Sequence, residues 1–140
     1  MSIDRSHLGY ALPAFTVEVS AARIAAFLLA IGDSSASSTV APLTFMKAIE
    51  GEHNSSQRIM ETLGVDLRRV LHAEQQFDYL GPIRAGDQLS VERRVTDLYE
   101  KKNGALEFIV IESSIRHAAR GLLGRSRQVV LVRNPVAKAA

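Results

Sequence analysis

The sequence predicts an α+β domain. Helical spacing dominates its first half, strand alternation dominates its second, and the strand segments follow one another through tight turns. "LHAEQQFDYL", "LSVERRVTDLY", "LEFIVIESSIRH" and "SRQVVLVR" read as strands, joined by "GPIRAGD", "EKKNGAL" and "AARGLLGR". Such short connections imply antiparallel pairing. One long helix packed on one face of that sheet completes the expected architecture. The chain has 140 residues, one domain's worth, and neither a repeat nor a linker divides it.

Taken in order, "FTVEV", Phe15 to Val19, alternates and is β-branched, so it reads as a short strand. Ser20 is placed to cap a helix. Ile24, Phe27, Leu28 and Ile31 then fall at helical spacing, and Gly32 stops the helix. Leu29 widens the apolar face, so this helix is expected to be well buried. Pro42 can open a second helix, with "LTFMKAIEGEH" as its body and Gly51 near its end. "NSSQRIMETLGVDLRRV" reads as a helical turn followed by a loop. Asn103-Gly104 is a hairpin signal.

Composition narrows the function classes. Hydrophobic residues make up 46% and charged residues 23%, which suits a packed core. The longest apolar run, Ala25 to Ile31, is too short to span a bilayer, and the first residues lack the order of a signal peptide, so a cytoplasmic location without membrane attachment is expected. There is no cysteine, hence no disulfide framework or thiolate metal site. A net charge of +2, 6% aromatics and no basic stripe argue against nucleic acid. A modestly basic surface suits a small anionic ligand or an acidic carrier protein.

Three residues stand out for chemistry. Asp33 follows a helix end, where the dipole disfavours a carboxylate, and desolvation there would raise its pKa toward general acid–base use. The competing reading is a turn-forming aspartate in "GDSS". His72 and Glu74 are two apart on a strand, so they share a face, and Glu74 could fix the His72 tautomer. The competing reading there is a solvated outer face. No histidine pair has the helical spacing of a zinc site, and neither a nucleophile elbow nor a phosphate loop occurs, so no metal or cofactor is expected. Arg68, Arg69, Arg84, Arg93, Arg94, Arg116, Arg125 and Arg127 are spread over the second half. Some could meet phosphate oxygens; most read as surface charges.

The order "AIGD", "APLTF" (Ala41 to Phe45), "LHAEQQFDYLGPIRAGDQL" (Leu71 to Leu89), hairpin and two strands resembles the N-terminal-type domain of MaoC-like acyl dehydratases, the FAS1-like dehydratase hot-dog domain. The resemblance covers Phe15 to Arg133, and the whole chain, 1–140, is taken as one such domain. It implies a sheet wrapped around a central helix, pairing into a double hot dog with an acyl tunnel at the junction. It implies water addition to, or removal from, an acyl thioester of coenzyme A or acyl carrier protein. An Asp and a His hold the water, and a helix N-terminal N–H polarises the thioester carbonyl. Gly32-Asp33 match the start of the family motif. Ser35-Ala36 stand where Asn-Pro is expected, and Ser38 where the His is expected. A serine hydroxyl cannot replace imidazole as an acid or base near neutrality. Only seven residues, Ser34 to Val40, separate the "GD" and "AP" borders, a shorter overhang than in relatives.

By that resemblance Asp33 is the candidate catalytic residue, with His72 and Glu74 as an alternative pair. Ser38, Ala41, Pro42 and Leu43 are the candidate substrate contacts. The departure at Ser38 matches the non-catalytic halves of two-part dehydratases, which shape the tunnel beside a catalytic hot dog. A homodimer, or a heterodimer with a catalytic subunit, is expected, because one sheet on one helix leaves an edge exposed. Two other functions remain open: an acyl-CoA thioesterase recruiting Glu50, Glu52 or Asp33, and an interaction module without a ligand.

Overall fold

Five strands form one antiparallel sheet in the computed structural model, which describes residues 2–34 and 37–135. In chain order the elements are β1 (Ala11–Glu18), α1 (Ala21–Ala30), α2 (Phe45–Glu50), α3 (Ser55–Thr62), β2 (Val70–Tyr79), β3 (Gln88–Lys101), β4 (Leu106–His117) and β5 (Gly121–Arg133). The order across the sheet is β1-β3-β4-β5-β2, so β1 and β2 are its edges. The α+β expectation holds, and the helices lie on one face.

Two strands extend beyond their sequence signal. β1 starts at Ala11 rather than Phe15, running through Pro13. A proline is tolerated there because β1 is an edge, and the ladder is irregular between Leu12 and Phe15. β5 starts at Gly121, so "GLLG" is strand and not turn. A Cβ on Gly124 would lie 2.4 Å from Met46 Cε, so the glycine makes room for this α2 side chain against the sheet. The Asn-Gly signal does close a hairpin. Lys102, Asn103 and Gly104 all have positive φ, between the paired residues Lys101 and Leu106.

α1 forms as expected at its start: the Ser20 hydroxyl accepts the Arg23 N–H at 3.1 Å. Its burial does not follow expectation. Ile24 and Leu28 are buried, but Leu29 is 83% exposed and Ile31 51%. The helix lies against the rest of the chain along only one narrow stripe, and the wider apolar face is left uncovered.

The second helix ends at Gly51, as expected, but no long helix forms. The segment breaks between α2 and α3, where His53 (φ 56°) and Asn54 (φ 54°) are both left-handed, and α3 is a full two-turn helix rather than a single turn. The break is organised by Arg93, which the sequence suggested as a surface charge and which is 1% exposed. Its guanidinium donates to the Glu50 carbonyl at 3.2 Å, to Ser55 Oγ at 2.8 Å and to Ser56 Oγ at 2.7 Å. It also donates to Ser113 Oγ and Gln128 Oε1, each at 3.0 Å. Ser55 Oγ donates to the same Glu50 carbonyl. Burial lowers the Arg93 pKa, and the Glu50 carboxylate works in the opposite direction.

Arg93 divides the core. On one side, α1 and α2 pack through Ile24, Leu28, Phe45, Met46 and Ile49 on Leu89, Val91 and Ile115. On the other, α3 packs through Ile59, Met60 and Leu63 on Val95, Ile109, Ile111 and Val130. The N-terminal segment closes the second half. The Glu107 carboxylate, wholly buried, accepts the N–H groups of Ser2 at 2.9 Å and Ile3 at 3.0 Å, the Ser2 hydroxyl, and Asn134 Nδ2 at 2.6 Å.

Two expectations follow from these contacts. Arg93→Met takes the guanidinium donor from three hydroxyls and one of two donors each from the Glu50 carbonyl and Gln128 Oε1, beside the buried Glu50. It should cost about 3 kcal/mol in urea unfolding; a loss under about 1 kcal/mol would show that the packing carries the break unaided. Burial by itself would raise the Glu107 pKa, but the hydrogen bonds from Ser2, Ile3 and Asn134 outweigh it and leave it below the ordinary 4.5. Its stabilisation is therefore complete above pH 4.5 and lost as pH falls through the lower folded-state value. Amide exchange at Ile3 should quicken across that acid window, and Glu107→Gln should remove the pH dependence. An Ile3 amide whose exchange kept the same acid response in that variant would contradict the assignment.

Candidate functional site

Gly32, at φ +75°, ends α1 in a left-handed conformation open to glycine. Its N–H donates to the Leu29 carbonyl at 3.2 Å, and the Asp33 N–H donates to the Leu28 carbonyl at 2.9 Å. This double closure turns the chain and sets Asp33 at the lip of a pocket of about 390 Å³. Ala25, Leu28 and Leu29 of α1 form one wall; Gly32, Asp33, Ser34 and Ser38 complete it. Asp33 and Ser38 are both half-buried. The fold thus brings together the two positions at which the resemblance implies an Asp and a His. Ser35 and Ala36, at the expected Asn-Pro, lie outside the described residues.

The second half of the loop is tied down by backbone pairing. Val40 bridges Arg84, the Ala41 N–H donates to the Ile83 carbonyl at 2.8 Å, and the Ala85 N–H donates to the Thr39 carbonyl at 3.0 Å. Ala41 is buried and Pro42 half-buried, whereas Leu43 is 66% exposed. These three residues stand beside the pocket rather than in its described wall. Pro42 also precedes the helix it was expected to open: its carbonyl accepts the Phe45 N–H at 2.9 Å, forming a turn before α2 begins at Phe45. Tyr79, which sequence reasoning did not single out, holds this turn by donating its hydroxyl to the Leu43 carbonyl. Burial pushes its pKa up to about 12, so it stays a donor across the neutral range.

His72 and Glu74 do not form the expected pair. The β2–β5 register shifts between them, so the two-residue rule for sharing a face fails. His72 Nε2 contacts the Glu74 backbone carbonyl at 3.0 Å, while the Glu74 carboxylate lies 3.6 Å from Arg127. Both residues are exposed on the edge strand, and neither lines the Asp33 pocket. Two of the three acids named for hydrolysis are committed elsewhere. Glu50 is buried, with one carboxylate oxygen 3.2 Å from Lys47 Nζ, and Glu52 pairs with Arg23. A second cavity, about 460 Å³, opens elsewhere and includes the charged residues Glu92, Arg94, Glu112 and Arg125. Its lining contrasts with the aliphatic wall around Asp33. Among the described residues no three His, Asp or Glu side chains stand close enough to share a metal ion. No described helix is long and apolar enough to cross a membrane.

Comparison with known proteins bears on this geometry. Residues 6–120 match the family described as FAS1-like, dehydratase domain region. A UPF0336 protein of Streptomyces coelicolor is 33% identical over 107 residues, covering 65% of this chain and 70% of that protein. A UPF0336 protein of Thermobifida fusca is 29% identical over 95% of both chains. Among solved structures, the C-terminally truncated HadBC (3R-hydroxyacyl-ACP dehydratase) complex of Mycobacterium tuberculosis superposes with a TM-score of 0.73 at 16% identity, covering 94% of this chain and 99% of that one. The ChsH1-ChsH2 complex of the same organism gives 0.67 at 15% identity, over 91% and 86%. The unliganded R-hydratase PhaJ1 of Pseudomonas aeruginosa gives 0.64 at 15%, over 95% and 88%. The shared architecture is the hot-dog fold.

Gly32→Ala tests how the pocket lip is made. A side chain at this φ should cost about 1 kcal/mol and move the amide resonance of Asp33; wild-type stability with an unshifted Asp33 would contradict the closure described.

Proposed function

Because the chain belongs to the FAS1-like dehydratase family, we propose that it binds acyl thioesters in the Asp33 pocket as the partner-dependent half of a hydratase or dehydratase pair. The thioester is carried by coenzyme A or an acyl carrier protein. The observation that carries this reading is the pocket itself: aliphatic on the α1 side for an acyl chain, with Asp33 and Ser38 where a water-holding pair belongs. Adding water across an enoyl thioester needs one group to take a proton from water and another to manage the proton at carbon. Asp33 can serve as one; the Ser38 hydroxyl cannot serve as the other near neutral pH. A second copy of this chain brings another Ser38 and no imidazole at that position. The missing group therefore comes from a different hot-dog subunit.

The surface around the pocket supports a covering partner. Leu29, Ile31, Val40, Leu43 and Leu80 are exposed large apolar side chains, all near the α1 end, the loop that follows it, or the end of β2. β2 is a free sheet edge, a feature that natural folds cover or pair. Two of the similar solved structures are complexes of two named chains. Hydrolysis is the weaker reading, since of its three candidate acids only Asp33 lines the pocket, and Glu50 and Glu52 already have cationic partners.

The purified chain should bind octanoyl-CoA in calorimetry yet leave crotonyl-CoA unhydrated. Hydration that Asp33→Asn abolishes would overturn the partner-dependent role. Failure to bind any acyl-CoA or acyl carrier thioester would overturn the ligand class.

A further inference from the structure

The turn from Arg84 to Asp87 is where both walls of the pocket are suspended. Gly86, at φ +91°, lets the chain reverse, and the Asp87 N–H donates to the Arg84 carbonyl at 3.1 Å. On one side the turn pairs with Val19: Gly86 N–H to the Val19 carbonyl at 2.6 Å, and Val19 N–H to the Asp87 carbonyl at 2.8 Å. Val19 immediately precedes the Ser20 cap, so α1 is hung from the turn. On the other side the turn pairs with Thr39 to Ala41, so the Ser-rich loop hangs from it as well.

Asp87 holds the turn in place. Its Oδ2 accepts the Arg84 N–H at 2.8 Å and lies 2.5 Å from the Arg120 guanidinium, which also donates to the Pro82 carbonyl at 2.8 Å. His117 completes the cluster. Its Nδ1 accepts the N–H groups of Ala119 and Arg120, each at 3.1 Å, so the ring proton sits on Nε2, 3.7 Å from Asp87 Oδ1. The β4–β5 connection is thereby closed by His117 without help from the Arg120 side chain. That side chain is free to reach across to a turn that precedes it by more than thirty residues. Arg120 is held through two nitrogens of its planar fork: Nη1 hydrogen-bonds the Pro82 carbonyl and Nη2 is ion-paired with Asp87.

We propose that Asp87 and Arg120 are positioning residues of the acyl pocket: their ion pair braces the 84–87 turn against the β4–β5 connection, and the braced turn sets the spacing between α1 and the Ser-rich loop. The proposal rests on the reading of the Asp33 pocket as an acyl site, but the brace itself can be tested without it. Neither side chain lines the pocket, so neither is a catalytic residue.

Hydrogen exchange and ligand affinity together test this. In Arg120→Met and in Asp87→Asn, the Ala41 and Ala85 amides should exchange about tenfold faster, while the central β4 amides keep wild-type protection. Affinity for octanoyl-CoA should fall about tenfold in both variants. Arg120→Lys, which keeps a cation but not the fork, should recover part of each effect. Arg120 is partly exposed at a turn, so its variant remains informative where Asp87→Asn does not fold. Unchanged exchange at Ala41 and Ala85 would overturn the brace, as would faster exchange spread equally over β4. Quicker exchange with wild-type affinity would overturn the positioning role. If the wild-type chain binds no octanoyl-CoA, the acyl reading fails, and the brace stands or falls on the exchange data alone.

Discussion

The buried guanidinium of Arg93 is the constraint around which the rest of the fold is arranged. A cation in the middle of a sheet face would be costly without partners, and its five donors demand acceptors in a fixed plane. The chain supplies them from three directions: the last carbonyl of α2, the first hydroxyls of α3, and Ser113 and Gln128 of the sheet. A continuous helix would keep the Glu50 carbonyl for its own ladder and leave Ser55 and Ser56 pointing elsewhere. The break at Gly51–Asn54, with two consecutive left-handed residues, is thus the backbone's accommodation of one buried charge. It splits the apolar core in two, one half serving α1 and α2 and the other serving α3 and the N-terminal segment.

The candidate pocket belongs to the first half and is built at its margin. α1 touches the core along Ile24, Phe27 and Leu28, while Leu29 and Ile31 face outward. The aliphatic wall of the pocket is therefore the part of α1 that the sheet does not reach. The Ser-rich loop closes the pocket from the other side without contributing an imidazole. A loop of small hydroxyl residues can line a groove and hydrogen-bond locally, but it cannot run acid–base chemistry near neutrality. Shape and chemistry are both consistent with the proposed acyl site: an aliphatic wall on one side and a loop without an acid–base pair on the other.

Much of the fold could be read from the residues. Alternation located five strands, Ser20 and Gly32 bounded α1, and Asn103-Gly104 placed a hairpin, because each of these signals acts through neighbours in the chain. What failed did so for identifiable reasons. Gly124 reads as a turn residue, yet its cause is Met46, far away in sequence. His72 and Glu74 read as a facing pair, yet a register shift in β2 separates their roles. Arg93 reads as surface because nothing adjacent in sequence announces its partners. At the site, Asp33 was marked by its place after a helix end and Ser38 by the family resemblance, while Tyr79, Arg120 and the ion pair made by Asp87 entered only through contacts across the fold.

By itself the sequence determined the kind of domain, the closing of α1 on Gly32, and the absence of an imidazole at Ser38; local backbone preference and side-chain chemistry suffice for these. Tertiary structure alone decided that Arg93 lies in the core, that α3 runs two full turns beyond the Gly51 break, that Leu29 stays bare, and that one turn carries both walls of the pocket. Those outcomes depend on which segments meet through the β1-β3-β4-β5-β2 order, and a buried charge or a backbone bridge acquires its partners only once that order exists.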